Sequence, residues 1–131
     1  MRSFSWPARS PWIADLVGVN LLRGRARGER VEVDGGGTLV IAGGADGEVF
    51  AVVHPRAVAL HRRQPEGTPR NVWRGRIETL ESSHGRTRVR VGGPPSLVAE
   101  VTDAAVAELG LAPGTDVWVT LKATEIITYP A

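Results

Sequence analysis

Val117-Trp-Val-Thr-Leu-Lys-Ala-Thr-Glu-Ile-Ile-Thr-Tyr129 is the stretch from which the rest of the chain can be read. Val117, Val119 and Leu121 alternate with Trp118, Thr120 and Lys122, the period-two pattern of a strand with one face in a core. The same stretch holds the only lysine, Lys122, in a chain of sixteen basic residues whose others are all arginine. At the end of such a strand Lys122 sits at a barrel rim. A compact ammonium with three donors suits a small tetrahedral anion, whereas the planar fork of arginine suits bidentate carboxylate or phosphate. Thr124 could add a hydroxyl. An edge-strand lysine also discourages sheet-to-sheet association, so spacing alone leaves a solvated surface role open.

The 131 residues suffice for one domain or two small ones, with enough apolar surface to fold without staples. Without cysteine, disulfides, thiol catalysis and cysteine-based metal sites are excluded. His54, His61 and His84 have no metal-ligand spacing. The first ten residues lack the apolar core of a signal peptide, and no apolar run approaches the roughly eighteen residues of a membrane span. These features predict a cytosolic protein. A pI near 9.9 raises the possibility of a polyanionic partner, but the formal net charge is only +2, with acidic residues interspersed among the arginines.

Ser10-Pro11 before Trp12-Ile-Ala-Asp-Leu-Val17 and Gly18 predicts a short helix with a serine N-cap and a glycine stop. Strands are predicted at 20–27, 30–33, 38–41 and 48–53, separated by Gly28-Glu29, Asp34-Gly-Gly-Gly37 and Gly43-Gly-Ala-Asp-Gly47. Turn signals this frequent indicate a meander or barrel. His54-Pro-Arg56 closes that run, since proline cannot continue a central strand. There His54 and Arg56 suit hydrogen-bond capping better than catalysis. The polar, proline-containing His61 to Pro69 segment reads as a linker. Further strands are predicted at 71–81, at 86–91 with Arg86, Arg88 and Arg90 facing out, at 96–101, and in the opening stretch. Ser82-Ser-His-Gly85 reads as a hairpin turn. Thr102 to Leu109 reads as a helix with a threonine cap, stopped by Gly110, and Leu111 to Thr115 as a turn. Two internal repeats stand out. Asn20-Leu-Leu-Arg-Gly-Arg25 matches Asn71-Val-Trp-Arg-Gly-Arg76, and Ala51 to Ala59 is similar to Ala99 to Ala107.

Four blocks occur in order: Thr68-Pro-Arg-Asn-Val-Trp-Arg-Gly-Arg76, Leu97-Val-Ala-Glu-Val-Thr102, Glu108-Leu-Gly-Leu-Ala-Pro-Gly114 and Val117 to Ile126. Together they resemble a TOBE domain of the Mop, or molbindin, type. Ser10 to Gly24 and Val53 to Leu60 resemble the segment that follows the nucleotide-binding domain in ABC importer ATPases of the molybdate type. The resemblance implies an all-β protein with short helices: an OB-like β-barrel of the TOBE/Mop type at 68–131, preceded by a second small β-barrel-like unit at 1–62. It implies an oxyanion-binding, regulatory module for molybdate or tungstate, forming homodimers and cooperating with an ATPase domain and a permease at the inner face of the cell membrane. Carried over by position, the ligand-binding residues are Thr68, Arg70 and Asn71 with Lys122, Ala123 and Thr124. Lys122 would bring charge, Thr68 and Thr124 hydroxyls, and Arg70 and Asn71 backbone amides. Pro69 departs from the family, which often has alanine there, because proline has no N–H to donate.

No Gly-x-x-x-x-Gly-Lys-[Ser/Thr] loop is present, and no catalytic constellation emerges, so no enzyme activity is expected of this chain. Trp73 and Trp118 fit core or barrel contacts better than base-stacking platforms, and Trp6 and Trp12 fit docking of the first helix. Two other readings stay open: a TOBE domain that dimerises without ligand, and an arginine-rich OB barrel for single-stranded nucleic acid.

Overall fold

A computed structural model of the chain describes residues 18–67 and 69–131. The helix expected at Ser10 to Val17, with Trp6 and Trp12, and the candidate residue Thr68 lie outside them. The strands are β1 Asn20–Val33, β2 Thr38–Val53, β3 Ala59–His61, β4 Asn71–Ser83, β5 Arg86–Gly92, β6 Leu97–Thr102, β7 Asp116–Leu121 and β8 Ile126–Pro130, with helix α1 Asp103–Leu109 after β6. They pair into a three-stranded sheet, β1-β2-β8, and a five-stranded sheet, β3-β7-β4-β5-β6. The expected mostly-β, OB-like architecture is what forms.

Each sheet takes one strand from the far half of the chain. β8 lies antiparallel on β2, from Val53↔Ile126 to Val49↔Pro130. β3, not anticipated from sequence, lies antiparallel on β7, with Leu60 opposite Val119. The segments on either side of the 62–68 boundary are therefore interlocked through their sheets. The strand read through the opening stretch also needs correction. It ends at Leu121, turns through a one-turn 3-10 helix at Ala123–Glu125 and continues in the other sheet as β8. Alternation reports which side chains face a core, and both sheets face the same one, so the pattern does not reveal the change of sheet.

Two further breaks read from glycine are bridged. Gly28-Glu29 lies inside β1, and Gly43 to Gly47 lies inside β2. Gly28 pairs with Ala45 and Arg30 with Val40, which leaves Glu29 opposite Ile41, Ala42, Gly43 and Gly44. The left-handed φ of 79° at Gly43 serves this bulge rather than a hairpin. Asp34 to Gly37 does form the expected turn, with Val33 N–H donating to Gly37 C=O at 2.9 Å.

Other local expectations hold. Thr102 caps α1 by accepting from the Ala105 amide, and Gly110 ends it in the left-handed conformation. His84 and Gly85 both have positive φ, as a two-residue hairpin loop between β4 and β5 requires. On β5, Thr87, Val89 and Val91 are buried while Arg88 and Arg90 are exposed and Arg86 is half-buried. Val31, Leu39, Val53, Ile77, Val89, Leu97, Val117, Val119 and Leu121 form one continuous core between the sheets, each such side chain stabilising the fold by about 1.5–3 kcal/mol through burial.

Candidate anion-binding site

The two matching hexapeptides start with asparagines that do equivalent work. Asn71, at the start of β4, donates from Nδ2 to Val40 O at 2.9 Å and Leu121 O at 3.2 Å, and its Oδ1 accepts from Val40 N at 2.7 Å. Asn20, at the start of β1, donates to Val98 O at 2.9 Å and Val53 O at 3.2 Å, and accepts from Val98 N at 2.7 Å. Each carboxamide pairs with a strand of the opposite half as a peptide group would. The hexapeptide glycines are equivalent as well. A Cβ on Gly75 would lie 2.5 Å from Val91 Cγ1 and 2.7 Å from Gly92 O, and one on Gly24 would clash with Glu32 O, because the curled sheet brings backbone against each position. At the next turn of likeness, Arg23 lies over the Phe50 ring and Arg74 over the Trp118 ring, both at 5.7 Å. Trp118 is thus occupied by Arg74 on an outer face.

Asn71 pairs with Leu121 at the end of the β4–β7 ladder. Arg70 and Lys122 consequently leave the sheet at the same end, so the two segments singled out by sequence, Arg70-Asn71 and Lys122-Ala123-Thr124, come together. Lys122 and Thr124 are exposed, Arg70 is exposed, and Ala123 is buried at 5% exposure. Lys122 starts the one-turn 3-10 helix but makes no side-chain cap bond. The Asn71 carboxamide is held by backbone, so only its main chain is available to a ligand.

The first half has its own version of this rim. Asn20 pairs with Val53, after which His54 leads into a 3-10 helix at Pro55–Ala57. By this placement Val53 to Leu60 corresponds to Leu121 to Thr128. The sequence match of Ala51 to Ala59 with Ala99 to Ala107 paired the wrong segments, because shared alanines and valines outweighed a geometric equivalence that preserves few side chains. His54 stands where Lys122 does and caps its helix, with Nδ1 accepting from Arg56 N at 3.1 Å. Arg56 Nε binds Glu100 Oε2 at 2.7 Å, and Arg86 Nε binds the same oxygen at 2.8 Å. Arg88 Nη2 lies 3.5 Å from Glu100 Oε1. The hydrogen bond from Arg56, reinforced by Arg86, holds the Glu100 carboxyl below the usual carboxylate range although partial burial opposes the shift. The two rims are alike in backbone and different in charge chemistry.

A groove of about 340 Å³ opens beside Asn71, lined by Arg30, Thr38 and Val40 of the β1–β2 hairpin, Arg70 and the start of β4 from Asn71 to Trp73, and Pro94 and Pro95. The buried Nε1 of Trp73 has no hydrogen-bond partner among the described residues. Sequence reading did not find Arg30 or Thr38, because they reach the groove only through the Asn71–Val40 contact. The repeated hexapeptide was the available signal for the asparagines. Among the described residues, no three His, Asp or Glu side chains cluster so as to hold a metal ion. No helix of the described residues is long and apolar enough to cross a membrane.

Comparison with known proteins agrees with this architecture. Residues 67–128 match the TOBE domain family. Over 94% of its length the chain is 34% identical to the molybdenum import ATP-binding protein ModC of Mycobacterium tuberculosis, of which it spans 36%. Over 55% of the chain it is 36% identical to ModC of Methylococcus capsulatus, covering 21% of that protein. Its fold is similar to the cytoplasmic molybdate-binding protein ModG with molybdate bound: TM-score 0.73 and 26% identity, covering 86% of this chain and 96% of that one. Residues 67–128 are thus similar to TOBE domains, within a chain that is similar to about a third of the length of the ModC molybdenum import ATP-binding proteins.

Proposed function

We propose that the chain is the oxyanion-binding, regulatory module of a molybdate importer, taking molybdate or tungstate at the second rim. The observation that carries this reading is the convergence of Arg70-Asn71 and Lys122-Ala123-Thr124 at one end of the β4–β7 ladder, in a fold similar to molybdate-bound ModG. Lys122 supplies the charge, Thr124 and Thr68 hydroxyls, and the main chain of Arg70, Asn71 and Ala123 dipoles toward the anion. Residues 68–131 are the anion-binding unit and 1–62 the accessory unit, whose β2 and β3 pair with β8 and β7. The module works as a homodimer in the cytoplasm beside an ATPase domain and its permease. Anion occupancy favours one dimer arrangement over another and so feeds back on transport.

The test is thermal unfolding of the whole chain, wild type and Lys122→Met, with molybdate, tungstate and sulfate. Molybdate at a hundred times its dissociation constant stabilises by about 2.7 kcal/mol, roughly 10 °C for a domain near this size. A rise with molybdate or tungstate that is smaller in Lys122→Met is the expected result. No rise with any of the anions removes the ligand-binding reading and leaves a structural TOBE domain. Sedimentation with and without molybdate checks the regulatory part, which an unchanged association state and shape would eliminate.

A further inference from the structure

We infer that the groove beside Asn71 is a second anion site, built by both halves of the chain, with Arg30 and Thr38 of the first half facing Arg70 of the second. None of these contacts follows from the TOBE resemblance, which names Arg70 but neither Arg30 nor Thr38. Six other arginines, Arg23, Arg56, Arg74, Arg76, Arg86 and Arg88, are ion-paired. Arg30 and Arg70 have no ion-pair partner among the described residues, yet both line the groove, and no carboxylate lines it with them. Two guanidinium groups, each with five N–H donors in a planar fork, match the charge and the several oxygens of a dianion. The Thr38 hydroxyl adds a neutral donor. Trp73 lines the same groove, so its indole reports on what binds there.

The corresponding groove of the other clamp shows what a different set of residues does. It lies beside Gly18 and Val19, with Val98, the valine held by Asn20, in its wall. Arg88 and Arg90 line it, but so does Glu81, and Arg88 is already engaged by Glu100 and by Gly18 O. A carboxylate in the wall repels a dianion. Of these two grooves, the one at Arg30 and Arg70 is cationic throughout its charged lining. Its ligand is a tetrahedral oxyanion of charge −2; that class rests on the importer reading above, whereas the site itself rests on the groove.

The experiment uses the whole chain and follows the tryptophan indole N–H resonances by NMR, with calorimetry in parallel, during titration with molybdate and separately with sulfate. The Trp73 resonance is assigned by its loss in Trp73→Phe. Arg30 and Thr38 are exposed, so Arg30→Gln and Thr38→Val leave the core intact, and an unchanged Tm without ligand verifies this. The expected result is a Trp73 resonance that moves with molybdate, an affinity for that event at least tenfold weaker in Arg30→Gln, and persistence of the event in Lys122→Met. If Lys122→Met abolishes all binding while Arg30→Gln binds as wild type does, the groove site is overturned and the rim reading stands. If Arg30→Gln abolishes binding and Lys122→Met does not, the groove site stands and the rim reading falls. An unmoved Trp73 resonance in a wild type that binds molybdate, or an equal response to sulfate that disappears on adding sodium chloride, overturns the groove site. No molybdate response at all overturns both.

Discussion

Asn71 pairs both ways with Val40, donating to its carbonyl at 2.9 Å and accepting from its amide at 2.7 Å. One side chain of the second half thereby acts as a strand edge for the first. With Asn71 4% exposed and Val40 partly buried, water is a poor substitute for these bonds. Asn71→Leu leaves the Val40 amide and carbonyl and the Leu121 carbonyl short of partners, and is expected to destabilise by about 3 kcal/mol or more. Asn71→Asp retains an acceptor for Val40 N but loses both donated bonds and buries a charge, so it is no rescue. Denaturant unfolding gives the comparison, and Asn20→Leu should cost a similar amount. A loss below about 1 kcal/mol would show that the clamp is dispensable.

Gly75 faces backbone and a valine side chain at distances that leave no room for a methyl group. Gly75→Ala is expected to lower stability by about 1–3 kcal/mol through overpacking, despite the better strand propensity of alanine. Gly28, with open space around its Cβ direction but φ of 62°, separates the two causes. Gly28→Ala suffers only from its left-handed backbone, at about 1 kcal/mol. Thermal melts that ranked Gly28→Ala as the worse variant would contradict this assignment.

Removal of Ile126 to Ala131 deletes the last strand of the sheet that begins the chain. β2 then keeps β1 but loses its second partner along Val49 to Val53, of which Val49, Phe50, Ala51 and Val53 are buried. The truncated protein is expected to lose the fold of both halves and to aggregate through the uncovered edge. Hydrogen exchange is the readout. Full protection retained in β1 and β2 of the truncated chain would show that the first sheet needs no strand from the second half.

Glu100 lies beside Arg56, Arg86 and Arg88, and its folded-state pKa is depressed. Its contribution to stability is therefore full above the ordinary carboxylate pKa and is lost as pH falls through the lowered folded value. Glu100→Gln should lower Tm at neutral pH and show a smaller further decrease toward acid than the wild type. Identical acid profiles for the two proteins would remove Glu100 from the account.

Much of the candidate site was legible before any coordinates. The four ordered blocks carried Arg70, Asn71, Lys122, Ala123 and Thr124, and the β4–β7 register brings those segments to one end of a ladder. Arg30 and Thr38 were not legible, since they lie more than thirty positions from Asn71 and nothing local marks a residue that meets it across the fold. The carboxamide clamps were half legible: the repeated hexapeptide flagged Asn20 and Asn71 without saying what they hold.

Sequence by itself determined the elements whose causes are local. Alternation placed β5 and β7, a threonine and a glycine bounded α1, and His84-Gly85 made a two-residue loop. Only the tertiary structure decided which strands share a sheet, because period two is the same for every half-buried strand and carries no address for a partner. That is why Lys122 could be placed at a strand end from its neighbours alone, while the passage from Leu121 in one sheet to Ile126 in the other could not. Glycine was the other source of error. Asp34 to Gly37 turns and Gly43 to Gly47 does not, and the difference lies in the pairing of Ala45 to Val53 with β1, an interaction between residues far apart in the chain.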